Sequence, residues 1–486
     1  MRQLLTENIL LATVGALAGL LLAAWGVRML VGLAPAGLPR LDEVGMNLRV
    51  LGFTFGVSVL AGVLFGLAPV LQMSAAPLAE WLRDRDTGSE RRQARLWRHA
   101  LVVVEVALAM VLLVGAGLLV RSFQQLRAVD PGFRPAHVLT LRAAMPQGRY
   151  GERDQRVAFV GDALGQLRAM PAVESAGVTS DVPLVHDRQG TSLWREGEAP
   201  PSGAGDRVVN WTLVSPGYFE TMGIPIRRGR SFVSSDRVES APVILIDEAV
   251  AQAWFPGEDP IGRRVFFGAR SGTAREIVGI VGRERHDALE RDPHPGVYLP
   301  YFQWPNSFEV SFVLRTTTTA AGAAGSARAA LRAADGGVPV FDLQTLDQVL
   351  SEATAQPRFS ALLVGLFAIV ALMLAAVGIY GVMSYTVSQR TREIGLRVAL
   401  GAQPGQVRRL IVGQAMTLAA VGIALGTLGA LALGRTLSSL LFEVTPTDGG
   451  TFLVVTAVLG TVVLVACYVP AHRATRVDPM VALRAE

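Results

Sequence analysis

Ser388 to Leu410 reads SQRTREIGLRVALGAQPGQVRRL, and an apolar run lies on each side of it, Phe359 to Tyr385 before and Leu410 to Leu433 after. Each run is long enough to cross a bilayer, since about 20 residues rising 1.5 Å apiece cover the hydrocarbon core. If Gln389 to Leu400 is helical, Arg390, Glu393 and Arg397 share one stripe, with Glu393 ahead of Arg397 in the favourable i,i+4 order. Ile394, Gly395, Val398 and Ala399 occupy much of the remaining surface. Gly401 stops the helix, and Pro404 suits the first turn of the next one. Two readings follow from this pattern: a helix at the headgroup boundary with its arginines against anionic lipid, or a helix seated in another protein's groove.

Working outward, six apolar runs are expected to span: Ile9 to Leu33, Val50 to Leu71, Ala100 to Val120, Phe359 to Tyr385, Leu410 to Leu433 and Thr451 to Pro470. The loop RDRDTGSERRQARLWRH, the opening stretch and the tail HRATRVDPMVALRAE are arginine-rich and fall on one side. APAGLPRLDEVGMNLR and GRTLSSLLFEVTPTDGG on the other side carry few arginines, balanced by acids. The positive-inside rule makes both termini and the opening stretch cytoplasmic. The net charge of +5 is then largely a matter of topology, and nucleic acid is not an expected partner.

Composition excludes several chemistries. A hydrophobic share of 51% over 486 residues favours a membrane class, and its Ala, Gly, Val and Arg bias suggests a GC-rich bacterial genome. The Lys+Arg total of 45 is met by arginine alone. Without lysine the chain holds no P-loop, no pyridoxal Schiff base and no Ser-Lys dyad. Cys467 is the only cysteine, so no disulfide within the chain and no cysteine-based zinc site is possible. No nucleophile, base and orienting acid converge in sequence, and no catalytic, cofactor or metal residue is assigned.

The first two spans repeat the last two. RQLLTENILLATVGALAGLLLA from Arg2 parallels RRLIVGQAMTLAAVGIALGTLGA from Arg408, with Gly15 and Gly19 in one and Gly422 and Gly426 in the other. Pro69 and Pro470 sit at the exits of the following spans, and Pro77 and Pro479 shortly before a closing arginine. Gly15/Gly19, Gly62/Gly66 and Gly422/Gly426 each form a GxxxG pair that permits close helix contact, within one chain or between chains. Glu105 is an acid inside the third span; pairing with Arg98 or a neighbouring span is weighed against a proton relay.

Between Arg121 and Gln356 the character is that of a water-soluble domain. HVLTLRAAM, ERDQRVAFVGDALGQLRAM and AVESAGVTS read as strand, helix, strand, and FEVSFVLRT, AAGSARAALRAAD and GVPVFDLQT repeat that order. VVNWTLVS, APVILIDE, IGRRVFFG, EIVGIVGR and GVYLP between them read as short strands. The expected fold class is membrane α-helical, with six transmembrane helices, plus an α+β periplasmic domain made of a split βαβ module with an inserted subdomain. His286, Asp287, Asp292 and His294 lack helical or hairpin ligand spacing and read as a polar turn.

QRTREIGLRVALGAQPGQVRRLIVGQA resembles the cytoplasmic element of MacB and FtsX-like ABC-transporter permeases, and PAHRATRVDPMVALR resembles the close of that domain. VSPGYFETMGIPIRRGRSF, VILIDEAVAQAWFPGEDPIGRRV and HPGVYLPY resemble the MacB-like periplasmic core domain. The two copies of the membrane unit resemble the duplicated (ADOP-like) permeases of the superfamily. The resemblance divides the chain into 1–72, the last two spans of an incomplete first unit; 73–98, a basic linker; 99–120, a span; 121–357, the periplasmic core domain; and 358–486, an FtsX-like domain with three spans and a coupling segment at 388–409. The first copy lacks its leading span, external domain and second span, so either the gene is shortened or the chain is a fragment.

The resemblance implies a permease of the bacterial inner membrane, gripped by a separate cytoplasmic ATPase dimer at Arg390, Arg392, Glu393, Ile394, Gly395, Arg397, Gly401 and Ala402. ATP and Mg²⁺ would belong to that ATPase, with no cofactor on this chain. A second permease unit, as a homodimer or a missing first half, and a periplasmic adaptor or outer-membrane channel are further expected partners, besides the lipid bilayer. The alternative is a receptor with a periplasmic ligand-binding domain or a regulator of cell-wall hydrolases. A secondary transporter would call for broken helices and midplane charges, which the spans do not clearly show.

Overall fold

In hydrocarbon every backbone N–H and C=O must be paired within its own segment, so the apolar runs are helices and the water-facing stretch between them is free to form a sheet. A computed structural model describes residues 2–33, 47, 49–57, 87–185, 189–199, 208–268, 273–400, 403–438 and 441–475. The chain divides into a helical unit, Met1–Phe123 with Gln356–Glu486, and a sheet unit, Gln124–Ala355.

The helical unit begins with α1 (Arg2–Leu33), residues 49–57 (α2) and α3 (Thr87–Ala128). It resumes with α9 (Ala355–Gln389), α10 (Thr391–Ala399), α11 (Pro404–Leu437) and α12 (Gly449–Ala474). Among the described residues, five stretches are long and apolar enough to cross a membrane: Thr13–Gly32, Leu96–Ala128, Ala355–Gln389, Pro404–Thr436 and Gly449–Arg473. Of the remaining predicted span, Val50 to Leu71, residues 50–57 are helical and the rest lies outside the described residues, with Gly62 and Gly66. α3 starts at Thr87, inside the stretch expected to be a linker. Its Glu, Arg, Gln and Ala content favours helix well before the apolar run begins.

α3 is the packing centre of this unit. A Cβ on Gly422 of α11 would lie 2.8 Å from Val106 Cβ, and one on Gly426 2.6 Å from Met110 Cβ. One on Gly117 of α3 itself would lie 2.7 Å from Thr451 Cγ2 of α12. Glycine is needed at these points because the two backbones approach too closely for any side chain. Val106, Met110 and Leu118 are fully buried there, while Leu366, Val377, Leu428 and Leu453 on the other helices are exposed and suited to lipid.

The sheet unit contains β1 (Val138–Ala144), α4 (Arg153–Arg168), β2 (Val173–Thr179), β3 (Gln189–Arg195), β4 (Val208–Val214), α5 (Tyr218–Met222), β5 (Ile226–Gly229) and β6 (Val243–Asp247). It continues with α6 (Glu248–Trp254), β7 (Arg264–Phe267), β8 (Arg275–Val281), β9 (Gly296–Pro300), β10 (Glu309–Thr316), α7 (Ala320–Ala334), β11 (Val340–Thr345) and α8 (Leu346–Ala353). Four strands run in the order β11-β1-β10-β2, each antiparallel to its neighbour. Phe312 pairs with Leu141 on one side and Val178 on the other. α4 buries Phe159, Val160, Leu164 and Leu167, and α7 buries Ala320, Ala323, Ala327 and Leu331, a helical stripe in each case.

A single pair, Thr179 with Val214, hands this sheet over to the inserted strands. There β4, β9, β6, β8, β7 and β3 pair in turn, and β3 returns to β4, so the ring has no open edge. Gly177 lets α5 sit directly on β2, since a Cβ there would lie 2.7 Å from Tyr218 Cα. β3 and β5 are strands that alternation in the sequence does not signal.

Candidate functional site

α10 is short because Arg390 ends α9, with its N–H donating to Thr386 O at 3.2 Å and Val387 O at 3.1 Å, and Pro404 opens α11 from the Gln403 N-cap. Within it, Glu393 accepts from Arg397 at 2.6 Å and faces Arg390 at 3.9 Å. The carboxylate thus joins the turn to the helix body. All three side chains remain roughly a third to a half exposed, so the group is a surface ion-pair stripe with little intrinsic stabilising value.

Ile394 is buried beside Val407 and Ile411 of α11 and Met383 of α9, and Gly395 is buried as well. That contact fixes the rotation of α10 in the fork between α9 and α11. The opposite face then presents Leu396, 52% exposed, and the adjoining Leu400, 80% exposed. These leucines lie four residues apart, the spacing at which a helix anchors in a groove. Sequence reading concentrated on the charged stripe and missed them, although the i,i+4 signal was present. The backbone of Arg392 lies within α10, and Gly401 and Ala402 fall outside the described residues.

Next to the turn, the Arg98 guanidinium of α3 lies 4.1 Å from the Tyr385 ring centroid, and Gln389 Nε2 donates to Tyr385 Oη at 2.6 Å. Arg98 therefore stacks on α9. Glu105 instead turns toward the same helix about two turns away, its carboxylate occupying the space that a Cβ on Gly378 would need. Gly422 and Gly426 meet α3 as described, whereas a Cβ on Gly15 or Gly19 would have nothing within 4 Å among the described residues.

In the sheet unit, His286 is buried with Nδ1 3.5 Å from Glu284 Oε1, Asp287 accepts from Asn210 Nδ2 at 3.2 Å, and Asp292 faces Arg285 at 3.9 Å. Among the described residues no group of three His, Cys, Asp or Glu could hold a metal ion. The arrangement at α10 consists of ion pairs and apolar contacts.

Residues 100–334 match the MacB-like periplasmic core domain, and residues 365–479 match the FtsX-like permease C-terminal domain. The chain belongs to the MacB/FtsX-like ABC-transporter permeases. The macrolide export ATP-binding/permease protein MacB of Azoarcus sp. (strain BH72) is 26% identical over 408 residues, covering 81% of this chain and 58% of that protein. The pyoverdine export ATP-binding/permease protein PvdT of Pseudomonas putida is 28% identical, covering 55% of this chain and 41% of that protein. The chain spans about half the length of the curated relatives it matches. The crystal structure of the periplasmic region of MacB from Actinobacillus actinomycetemcomitans is similar at 18% identity and a TM-score of 0.32, covering 45% of this chain and 92% of that one. As a permease of this family, the chain is a multi-pass membrane protein, and the stretch matched to the periplasmic domain takes in residues 124–334 of its sheet unit.

Proposed function

We propose that this permease converts ATP hydrolysis on a separate cytoplasmic ATPase dimer into motion of its periplasmic domain, driving export of a substrate rather than opening a path through its own spans. ATP and Mg²⁺ reside on the ATPase in this reading. The chain sits in the bacterial inner membrane with six spans and both termini cytoplasmic, beside a second permease unit and in contact with a periplasmic adaptor or outer-membrane channel. The strand order β11-β1-β10-β2, interrupted between β2 and β10 by the ring, supports a split βαβ module with an inserted subdomain.

The observation that carries the proposal is α10 itself. Ile394 anchors it between α9 and α11 while Leu396 and Leu400 remain uncovered beside the Arg390–Glu393–Arg397 stripe. An exposed leucine pair next to fixed charges fits a protein groove, which offers apolar pockets and directional partners together. Any push on α10 passes into α9 and α11, both long enough to span.

Glu393→Arg places three like charges on one stripe and should reduce co-purification of the cognate ABC ATPase from membranes to background, with the periplasmic domain still folded by its resistance to protease. Unchanged co-purification would remove the docking role.

A further inference from the structure

α3 meets the loop and helix that follow α11 at three places near the end of the helix that leads into the sheet unit. Arg121 donates to Asp448 Oδ2, and the same oxygen accepts from Thr451 N at 2.9 Å and from Thr451 Oγ1 at 2.7 Å. Asp448 is the N-cap of α12, so one carboxylate both closes that helix and holds α3. The next residue, Ser122, is buried, and its Oγ accepts from Phe442 N at 2.8 Å, satisfying a loop donor between α11 and α12. One turn away, Gly117 admits Thr451 to close contact.

These contacts have different characters and agree in what they hold. Gly117 supplies fit, Ser122 fixes a backbone group of the loop, and Arg121 bridges to the cap. Because Asp448 uses one oxygen for Arg121 and for Thr451, sliding α3 along its axis must either break the ion pair or pull on the cap of α12. Arg is suited to this position since its planar fork holds direction as well as distance.

We propose that Arg121 and Asp448 are positioning residues that clamp α3 to the α11–α12 hairpin, so that displacement of the hairpin carries α3 with it. The inference rests on the motion-transmitting reading above and names where the load passes: from α11, which follows α10, through the clamp, to the helix that continues toward β1. Beyond Arg121, α3 runs seven further residues to Ala128, about 10 Å of helix. That extension is a lever only if its base is fixed.

The test uses the full chain in lipid nanodiscs without any ATPase, so its outcome is independent of whether α10 docks one. Spin labels are placed at Val120→Cys and Thr447→Cys, both exposed, in a Cys467→Ala background that removes the single buried thiol. Pulsed electron paramagnetic resonance should give one narrow distance distribution for the parent. Arg121→Glu and Asp448→Arg should each broaden it roughly twofold, as when a local tether between two elements is lost. Arg121→Lys, which keeps the charge opposite Asp448 and leaves the cap of α12 intact, should stay close to the parent. An unchanged width in Arg121→Glu overturns the clamp. Broadening in Arg121→Lys as large as in Arg121→Glu overturns it too, because the effect then comes from disturbed packing and not from the ion pair.

Discussion

The two units of the chain hold together by opposite means. In the sheet unit the interior is filled with large side chains, among them Leu139, Leu141, Leu167, Phe312 and Tyr301, all with essentially no exposure. In the helical unit the closest contacts are made at Gly117, Gly378, Gly422 and Gly426, where side-chain atoms are absent on one partner. Water explains the difference. Burying a leucine or phenylalanine from water is strongly favourable, whereas a leucine leaving lipid for a helix interface gains little beyond closer packing. Removing atoms should therefore damage the first unit, and adding them the second.

The sharpest way to break that contrast is Phe312→Ala. Its ring packs edge-on against Phe159 at 6.4 Å between the centroids and sits on the central strand β10. The loss expected is about 3–5 kcal/mol. Urea unfolding of the full chain followed by tryptophan fluorescence reads it, since Trp194, Trp211, Trp254 and Trp304 all lie in the sheet unit. A loss under about 1 kcal/mol would mean that this core collapses around the gap and does not depend on its large side chains.

Gly426→Val addresses the other half. The new side chain would begin 2.6 Å from Met110 Cβ and 2.7 Å from Ala107 O, so α3 and α11 must separate. Overpacking of this kind costs about 1–3 kcal/mol. Gly15→Val on α1 is the control, since nothing among the described residues lies within 4 Å of a Cβ there, and should change stability by less than about 0.5 kcal/mol. Unfolding in bicelles compares them. Equal effects at the two sites would show that helix propensity, and not contact with α3, sets the cost.

What the sequence disclosed divides along the same line. Apolar length located the long helices, and alternation located most strands, because both report transfer out of water. Periodicity was less informative where a polar group is buried for local reasons. Arg156 lies inside the stripe of α4, its guanidinium donating to Tyr150 O, Gly151 O and Pro305 O, and reads in sequence as a solvent-facing charge. Arg98 was weighed as the partner of Glu105, but Tyr385 lies 287 positions downstream and only the tertiary fold brings its ring beneath the guanidinium. At the candidate site the Glu393–Arg397 pair followed from local spacing, while the exposure of Leu396 and Leu400 depends on how Ile394 seats α10 against α11. Ion pairs between distant segments, such as Arg121 with Asp448, carry no local signature at all.

A smaller effect tests whether polar contacts in the sheet unit act as satisfiers or as sources of stability. Tyr150 Oη donates to Asp335, which also accepts from Arg149 and from Gly337 N at 2.8 Å. The Tyr150 hydroxyl, with help from the Gly337 amide and Arg149, holds the Asp335 carboxyl below the usual carboxylate range. Burial, then Asp335, pushes the Tyr150 hydroxyl up to about 12. Tyr150→Phe should cost about 1 kcal/mol near neutral pH, less than a fully buried charged hydrogen bond because solvent screens part of it. The sign of each shift sets the pH limits. A lowered carboxyl contributes above its unfolded value near 3.9 and loses that contribution as pH falls through the folded value; a raised phenol contributes below about 10 and loses it as pH rises toward 12. The difference between parent and variant should thus be flat from about pH 5 to 9 and shrink at both ends. A difference that stays constant down to pH 2 would show that the hydroxyl contributes without regard to the Asp335 charge, since the variant keeps the ring and its edge contact with Phe159 at 5.5 Å.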